Sequence, residues 1–351
     1  MRAARRYRRK AARRPLNAVM AEFDLIERYF APLAATSAAA RGLADDTAFL
    51  ASPPPGLVVT ADACVEGVHF LKDDPPAAIA QKALRVNLSD LIAKGARPFA
   101  YLLTCAWPRT TDEAFVAAFA SGLAEDQATY DVDLIGGDTT STDGPLVVSV
   151  TALGEAAKAP PARAGAKPGD ALWVSGDIGA AGLGLAVRLG ELSLGPEADE
   201  ELTRRYRWPE PPMALRRTIA EYATASIDVS DGLLADARHV AQASGVTLEM
   251  NLEATPLAPS VLQWVRAQAD ESAAVRRLAA LGDDYQTLFT APEGCGDVLR
   301  REAQAVGVRL TRIGRVTPLQ ATQVTALWRG AAISVDRFGF EHPAANVEAL
   351  R

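Results

Sequence analysis

Histidine and cysteine are scarce, with three of each in 351 residues. Cys64, Cys105 and Cys295 are odd in number, widely separated and never paired as Cys-x-x-Cys. Neither a disulfide framework nor a zinc site is expected from them, and a reducing, cytoplasmic setting fits. His69, His239 and His342 are equally scattered, which argues against a histidine metal triad or a Ser/His/Asp hydrolase. No apolar run approaches the roughly 20 residues needed to span a bilayer, so no membrane partner is expected. The P-loop and the dinucleotide fingerprint are missing, as are the catalytic-loop and Asp-Phe-Gly motifs of protein kinases. The glycine-rich stretch Gly176–Gly184 comes near a nucleotide loop without matching one, and close helix–strand packing is its expected use. Positive charge is short as well: 37 Lys and Arg face 43 Asp and Glu, a net −6. Eight of those cations crowd into residues 1–14 without a single acid. Setting that arm aside leaves 29 basic against 43 acidic residues, or −14, a balance that argues against a nucleic-acid partner. Met20 opens the first amphipathic stretch, so residues 1–19 are read as a basic extension, disordered or not native, and excluded from the fold.

Against these absences stands an ordinary globular composition, 49% apolar and 23% charged, with enough length for two cores. The spacing of Phe23, Ile26, Tyr29, Phe30 and Leu33 predicts a helix over 22–33. A proline turn (Pro53–Pro55) leads into a short strand, Leu57–Thr60. Residues 75–95 read as a helix entered by Pro75 and Pro76 and ended by Gly95. Strands follow over 101–107 and 146–153, with a helix over 112–128 between them. The texture changes near Ala156, and Lys158–Asp170 reads as an interdomain linker. Beyond it, a strand over 171–175 and a helix over 180–190 begin an alternation that runs to about residue 335 and favours an α/β arrangement. The expected domains are 20–155 and 156–351.

The informative residues are aspartates. Asp62 closes Leu57-Val-Val-Thr-Ala-Asp, Asp138 closes Leu134-Ile-Gly-Gly-Asp, and Asp228 closes Ser226-Ile-Asp before a Ser-Asp-Gly turn. Asp45 and Asp46 sit in a turn, and Asn87 and Asp90 share one helix face. Each alone has a plain structural use: Ser230 or Asp231 caps a helix, Asp45 stabilises a turn. Together, at strand ends where α/β enzymes bind ligands, they would repel one another without cations. With no histidine or cysteine beside them, a hard ion such as Mg2+ bridging phosphates is the natural partner.

Several motifs then combine, in order, from about residue 21 to 342. They include Ala44-Asp-Asp46, Thr60-Ala-Asp-Ala-Cys-Val-Glu-Gly-Val-His-Phe70, Lys82-Ala-Leu-Arg-Val-Asn-Leu-Ser-Asp90, Leu134-Ile-Gly-Gly-Asp-Thr-Thr140, Ile227-Asp-Val-Ser-Asp-Gly-Leu233, Gly282-Asp-Asp-Tyr285 and Phe338-Gly-Phe-Glu-His342. This ensemble resembles the thiamine-monophosphate kinases. The resemblance implies an α/β (α+β) two-domain fold like that of aminoimidazole ribonucleotide synthetase, with N-terminal sheets paired across a homodimer. It implies ATP as co-substrate, thiamine phosphate as acceptor and Mg2+ as cofactor. Metal ligation falls to Asp46, Thr60, Ala61, Asp62, Asp90, Asp138, Asp228 and Asp231, ATP binding to Gly137, Asp138, Arg163 and Ser230, and acceptor binding to His69, Asp283 and Phe340. Three positions depart from the family pattern. Ala44 stands for a usual glycine, and Ala61 for a hydroxyl residue, which leaves its backbone carbonyl as the contact. Asp283 stands for a glutamate, one methylene shorter.

Overall fold

The computed structural model describes residues 22–44 and 47–340. The basic extension, residues 1–19, and the expected metal ligand Asp46 lie outside the described residues.

The chain opens helically, but not as one α-helix. A short turn α1 (Glu22–Leu25) passes into a π-helical turn, Ile26–Phe30, and a 3-10 turn, Ala31–Ala34. Pro32 sits in that last turn and supplies no N–H to continue an α-helical ladder. The next strand, β1 (Leu57–Val65), runs further than its apolar residues alone predict. After α2 (Pro76–Ala93) come β2 (Arg97–Pro108), α3 (Glu113–Tyr130), β3 (Asp133–Thr142) and β4 (Val147–Glu155). These strands form one sheet in the order β1-β4-β2-β3, parallel only between β2 and β3. Asp62 and Asp138 therefore lie inside strands, not at strand ends as the apolar runs suggested. Short and hydroxyl residues continue both strands because each forms a sheet edge with one open face.

Past residue 156 the chain builds a second sheet: β5 (Asp170–Ser175), β6 (Ala225–Val229), β7 (Val246–Asn251), β8 (Gln286–Pro292), β9 (Leu310–Pro318), β10 (Val324–Trp328) and β11 (Ala331–Ile333). Its order is β11-β10-β7-β9-β5-β8-β6, and only β7 and β10 run parallel. It is mixed and mostly antiparallel rather than doubly wound. Helices α4 (Ala180–Arg188), α5 (Pro196–Arg207), α6 (Arg216–Tyr222), α7 (Leu233–Ser244), α8 (Pro259–Arg266), α9 (Glu271–Leu278) and α10 (Gly296–Ala305) complete this half.

The glycine-rich stretch packs α4 tightly. A Cβ on Gly184 would lie 2.0 Å from the Leu202 carbonyl oxygen, and one on Gly182 would lie 2.5 Å from Leu281 Cβ. Two amides at the start of α4 are occupied, since Gly179 and Ala181 N–H donate to the buried Asp284 carboxylate at 2.7 and 3.4 Å.

Helix α2 matters most for function. Alanine, leucine, valine and isoleucine surround it on every side, and a helix apolar all round belongs in an interior. It packs against β1, β2 and β4 of the first sheet and against β6 and β8 of the second. Gln81, Lys82, Asn87 and Ser89 are buried with it. Buried polar groups require hydrogen-bond partners, and the partners of α2 lay out the site. Among the described residues, no helix is long and apolar enough to cross a membrane.

Candidate active site

Reading down α2, Lys82 Nζ lies 3.0 Å from Asp283 Oδ2. Asn87 Oδ1 accepts the Asp62 N–H at 2.8 Å. Ser89 donates to Asp228 Oδ2 at 3.0 Å, while Asp90 Oδ2 accepts the Thr60 hydroxyl at 2.5 Å. One helix therefore gathers β1 from the first sheet and β6 and the 282–285 segment from the second. Between them lies a cleft of about 660 Å³ lined by Asp62, His69, Asp90, Arg163, Asp228, Ser230, Asp231, Asp283, Arg337 and Phe340, among others.

Five aspartates face two arginines in this lining. Burial, reinforced by Asp90 and Asp231, holds the Asp62 carboxyl above its ordinary range. Asp228 is raised further, by complete burial and then by Asp90 and Asp236, against the opposing Ser89 hydrogen bond. Carboxylates that resist ionisation beside one another form a site that gains from a cation. The neighbouring thiol does not compete, because burial pushes Cys64 up to about 12.

The loop after β6 joins the two ends of the cleft. Ser230 O accepts the Asp283 N–H at 2.9 Å, and Asp231 O accepts the Phe340 N–H at 2.9 Å. The Ser230 and Asp231 amides in turn donate to Asp236 Oδ2 at 3.1 and 3.2 Å. At the other wall, His69 sits in a turn after β1 where the Val65 N–H donates to its Nδ1 at 3.0 Å. That bond makes Nδ1 an acceptor, so the neutral ring carries its proton on Nε2 and is a donor there. The same loop is anchored across the halves by Asp74, whose Oδ1 accepts Arg207 Nε at 2.6 Å.

The structure thus brings Thr60, Asp62, Asp90, Asp228, Asp231, Arg163, Ser230, His69, Asp283 and Phe340 into or beside one cleft. Ala61 is adjacent on β1. Gly137 and Asp138 are not brought there. Along the register, Asp62 aligns with Val150, Val150 with Leu103, and Leu103 with Gly137. Three strand spacings, about 14 Å, separate those edges. Sequence reasoning missed Lys82 and Ser89, as well as a group formed by Asp231, Asp236 and His239, whose ligand atoms lie within 4.8 Å of one another. The available signal was Asp236 and His239 three apart on one face of α7. A larger groove of about 1210 Å³, lined by residues 54–59, 155–160 and α6 residues, contains none of the expected site residues.

Comparison with known proteins places this geometry in a family. Residues 44–156 match the AIR synthase related protein, N-terminal domain, and residues 167–326 match the corresponding C-terminal domain. The thiamine-monophosphate kinase of Caulobacter vibrioides is 43% identical over 330 residues, spanning 93% of this chain and 92% of the relative. A crystal structure of thiamine-monophosphate kinase from Stenotrophomonas maltophilia is 36% identical, with a TM-score of 0.73 over 83% of this chain and 91% of that one. The structure of AaThiL complexed with AMPPCP and TMP is 30% identical, with a TM-score of 0.70 over 81% and 86%. With both domains matched in order and identity sustained along nearly the whole length, this chain belongs to the thiamine-monophosphate kinase family of AIR synthase related proteins.

Proposed function

We propose that the protein transfers the γ-phosphoryl group of ATP directly to the phosphate of thiamine phosphate, releasing thiamine diphosphate and ADP. The observation that carries this reading is the single cleft in which carboxylates from both sheets converge beside His69 and Asp283. The two ligands of the AaThiL complex, AMPPCP and TMP, match the proposed donor and acceptor.

Asp62, Asp90, Asp228 and Asp231 offer crowded oxygen donors beside a protonated thiol, a set that suits magnesium rather than zinc. Bound there, magnesium would neutralise charge on both phosphate chains as they approach. Thr60 and Ser89 orient two of the carboxylates by hydrogen bonds, while Asn87 fixes the backbone at Asp62. Arg163 and Arg337 supply fixed positive charge on the cleft wall, with Arg163 and Ser230 assigned to ATP. No general base is needed, because the second pKa of a phosphate monoester lies near 6 and its oxygen is already a nucleophile. His69, a donor at Nε2, binds the acceptor rather than deprotonating it. In-line alignment is the remaining requirement.

The separation of Asp138 from this cleft is accounted for by a homodimer. Strands β1 and β3 are the two unpaired edges of the first sheet, and exposed edges pair readily. Leu57 and Val59 on β1 are 43% and 54% exposed. Joining β1 of one protomer to β3 of its partner would bring Gly137 and Asp138 to the other protomer's Asp62. We place this chemistry in the cytoplasm, with a domain division at residues 155–156.

The test is incubation with ATP, magnesium and either thiamine phosphate or thiamine, followed by phosphorus NMR. Thiamine diphosphate and ADP should form in equal amounts from the monophosphate, with no product from thiamine. ATP hydrolysis without diphosphate formation would overturn the reading.

A further inference from the structure

Lys82 is an ammonium group in an unusual place. Its side chain is 3% exposed, it belongs to α2 of the first half, and it reaches Asp283 of the second half at 3.0 Å. The face of the Tyr206 ring, from α5, lies 4.0 Å from Nζ and forms the other wall of its pocket. A buried ammonium with one carboxylate and one aromatic face is fixed in position. Lys82 itself does not line the cleft, whereas Asp283 does.

Asp283 is constrained from behind as well. Its φ of 72° lies in the left-handed region, which a non-glycine residue adopts at some cost. The N–H donated to Ser230 O at 2.9 Å holds it there. Backbone and side chain are therefore both fixed, with Oδ2 directed to the lysine. This is the position where the family pattern has the longer glutamate.

We propose that Lys82 is a positioning residue for the acceptor site. By holding one oxygen of Asp283 inside the wall, it sets how far this shorter carboxylate reaches, leaving the other oxygen to accept an N–H or face a cationic ring of the acceptor. The ammonium also cancels one negative charge where five aspartates line the cleft, which lowers the repulsion met by an anionic acceptor. This inference rests on the proposed thiamine phosphate reaction. It makes the reach of Asp283 a property of the lysine–aspartate pair rather than of the aspartate alone.

The experiment is steady-state kinetics on the full chain and on Lys82→Met, Lys82→Arg, Asp283→Asn and the Lys82→Met/Asp283→Asn double variant, with melting curves for each. Lys82→Met should raise KM for thiamine phosphate about tenfold, the scale of one charge-assisted hydrogen bond lost at a binding site. KM for ATP should stay within about twofold, since contacts that are not shared do not couple. Lys82→Arg, which keeps the charge, should restore most of the loss. In the Asp283→Asn background, Lys82→Met should add less than about twofold, because residues acting through one another are non-additive. Additive penalties, equal changes in both KM values, or an unchanged KM for the acceptor would each overturn the proposal. If Lys82→Met does not fold, Asp283→Asn must still show the acceptor-selective rise and Lys82→Arg must preserve the wild-type KM; failure of either overturns it. A wild-type protein that makes no thiamine diphosphate overturns the functional reading itself, and this is seen before any variant is compared.

Discussion

If each active site borrows Asp138 from a partner, two inactive variants should repair one another. Asp62 and Asp138 lie on β1 and β3, opposite edges of one sheet, about 14 Å apart by strand spacing. A magnesium ion holds its ligands at about 2.0–2.1 Å, so one ion cannot take both carboxylates from a single protomer. Asp62→Asn and Asp138→Asn homodimers should each lose turnover, because every site lacks one carboxylate. In a heterodimer, one site lacks both residues and the other has both intact. Random pairing of equally expressed chains makes about half the molecules heterodimers, so co-expression should restore about a quarter of wild-type activity. Purification through two different affinity tags should raise that to about half. The assay is chromatographic measurement of thiamine diphosphate per mole of protein. A site contained within one protomer gives the opposite result, because each chain of the heterodimer then carries one lesion. A tagged heterodimer no more active than its parents would refute the shared site, as would sedimentation as a 37.1 kDa monomer with full activity.

Within the cleft, Asp62→Asn and Asp90→Asn should reduce kcat at least about a hundredfold, as the loss of electrostatic stabilisation commonly does. In metal-free buffer near neutral pH, Asp62→Asn should melt at the same temperature as wild type or higher, because burial disfavours the charge it removes; a clear drop would assign Asp62 a structural role. Asp284 gives a pH test away from turnover: burial pushes its carboxyl from 3.8 up to about 7 against two backbone N–H bonds. The folded form holds that proton more tightly, so the resulting stability is complete below about pH 4 and lost as pH rises through 7. Urea titrations should show wild type losing up to ~4 kcal/mol relative to Asp284→Asn across that window, and a difference independent of pH would contradict the assignment. Gly184→Ala should cost about 1–3 kcal/mol by overpacking α4 against α5, read as a lower urea midpoint; an unchanged midpoint would mean that the Leu202 carbonyl, 2.0 Å from the added Cβ, moves freely.

How much of this was legible in the sequence depended on the range of the interaction. The helix α2 and the strand at 171–175 were visible because local periodicity and turn residues decide them. The aspartates were visible as a set through the ordered motifs. Their convergence was not, since it depends on α2 lying between two sheets, which no local pattern encodes. Edge strands misled the reading for a related reason. Thr-Ala-Asp-Ala and Gly-Asp-Thr-Thr look like strand ends when apolar burial is the only guide, yet an edge with an open face continues through them.

The buried polar side chains of α2 carry the deeper information. Read alone, Lys82-Ala-Leu-Arg-Val-Asn-Leu-Ser-Asp90 is a largely apolar helix, and nothing in the string names the partners of Lys82, Asn87 and Ser89. In the fold, Lys82, Asn87 and Ser89 are buried, so each must be matched by a partner or cost stability. Those partners are Asp283, the Asp62 amide and Asp228, drawn from both halves of the protein. Satisfying the helix and assembling the site are therefore one structural problem with one solution. Removing a buried partner should be felt at the cleft before it is felt in the distant sheets, and comparison of acceptor KM with melting temperature across the α2 variants separates the two effects. A substitution such as Ser89→Ala should shift kinetics by leaving Asp228 without its donor. Loss of stability without any kinetic change would mean that the polar residues of α2 serve packing alone.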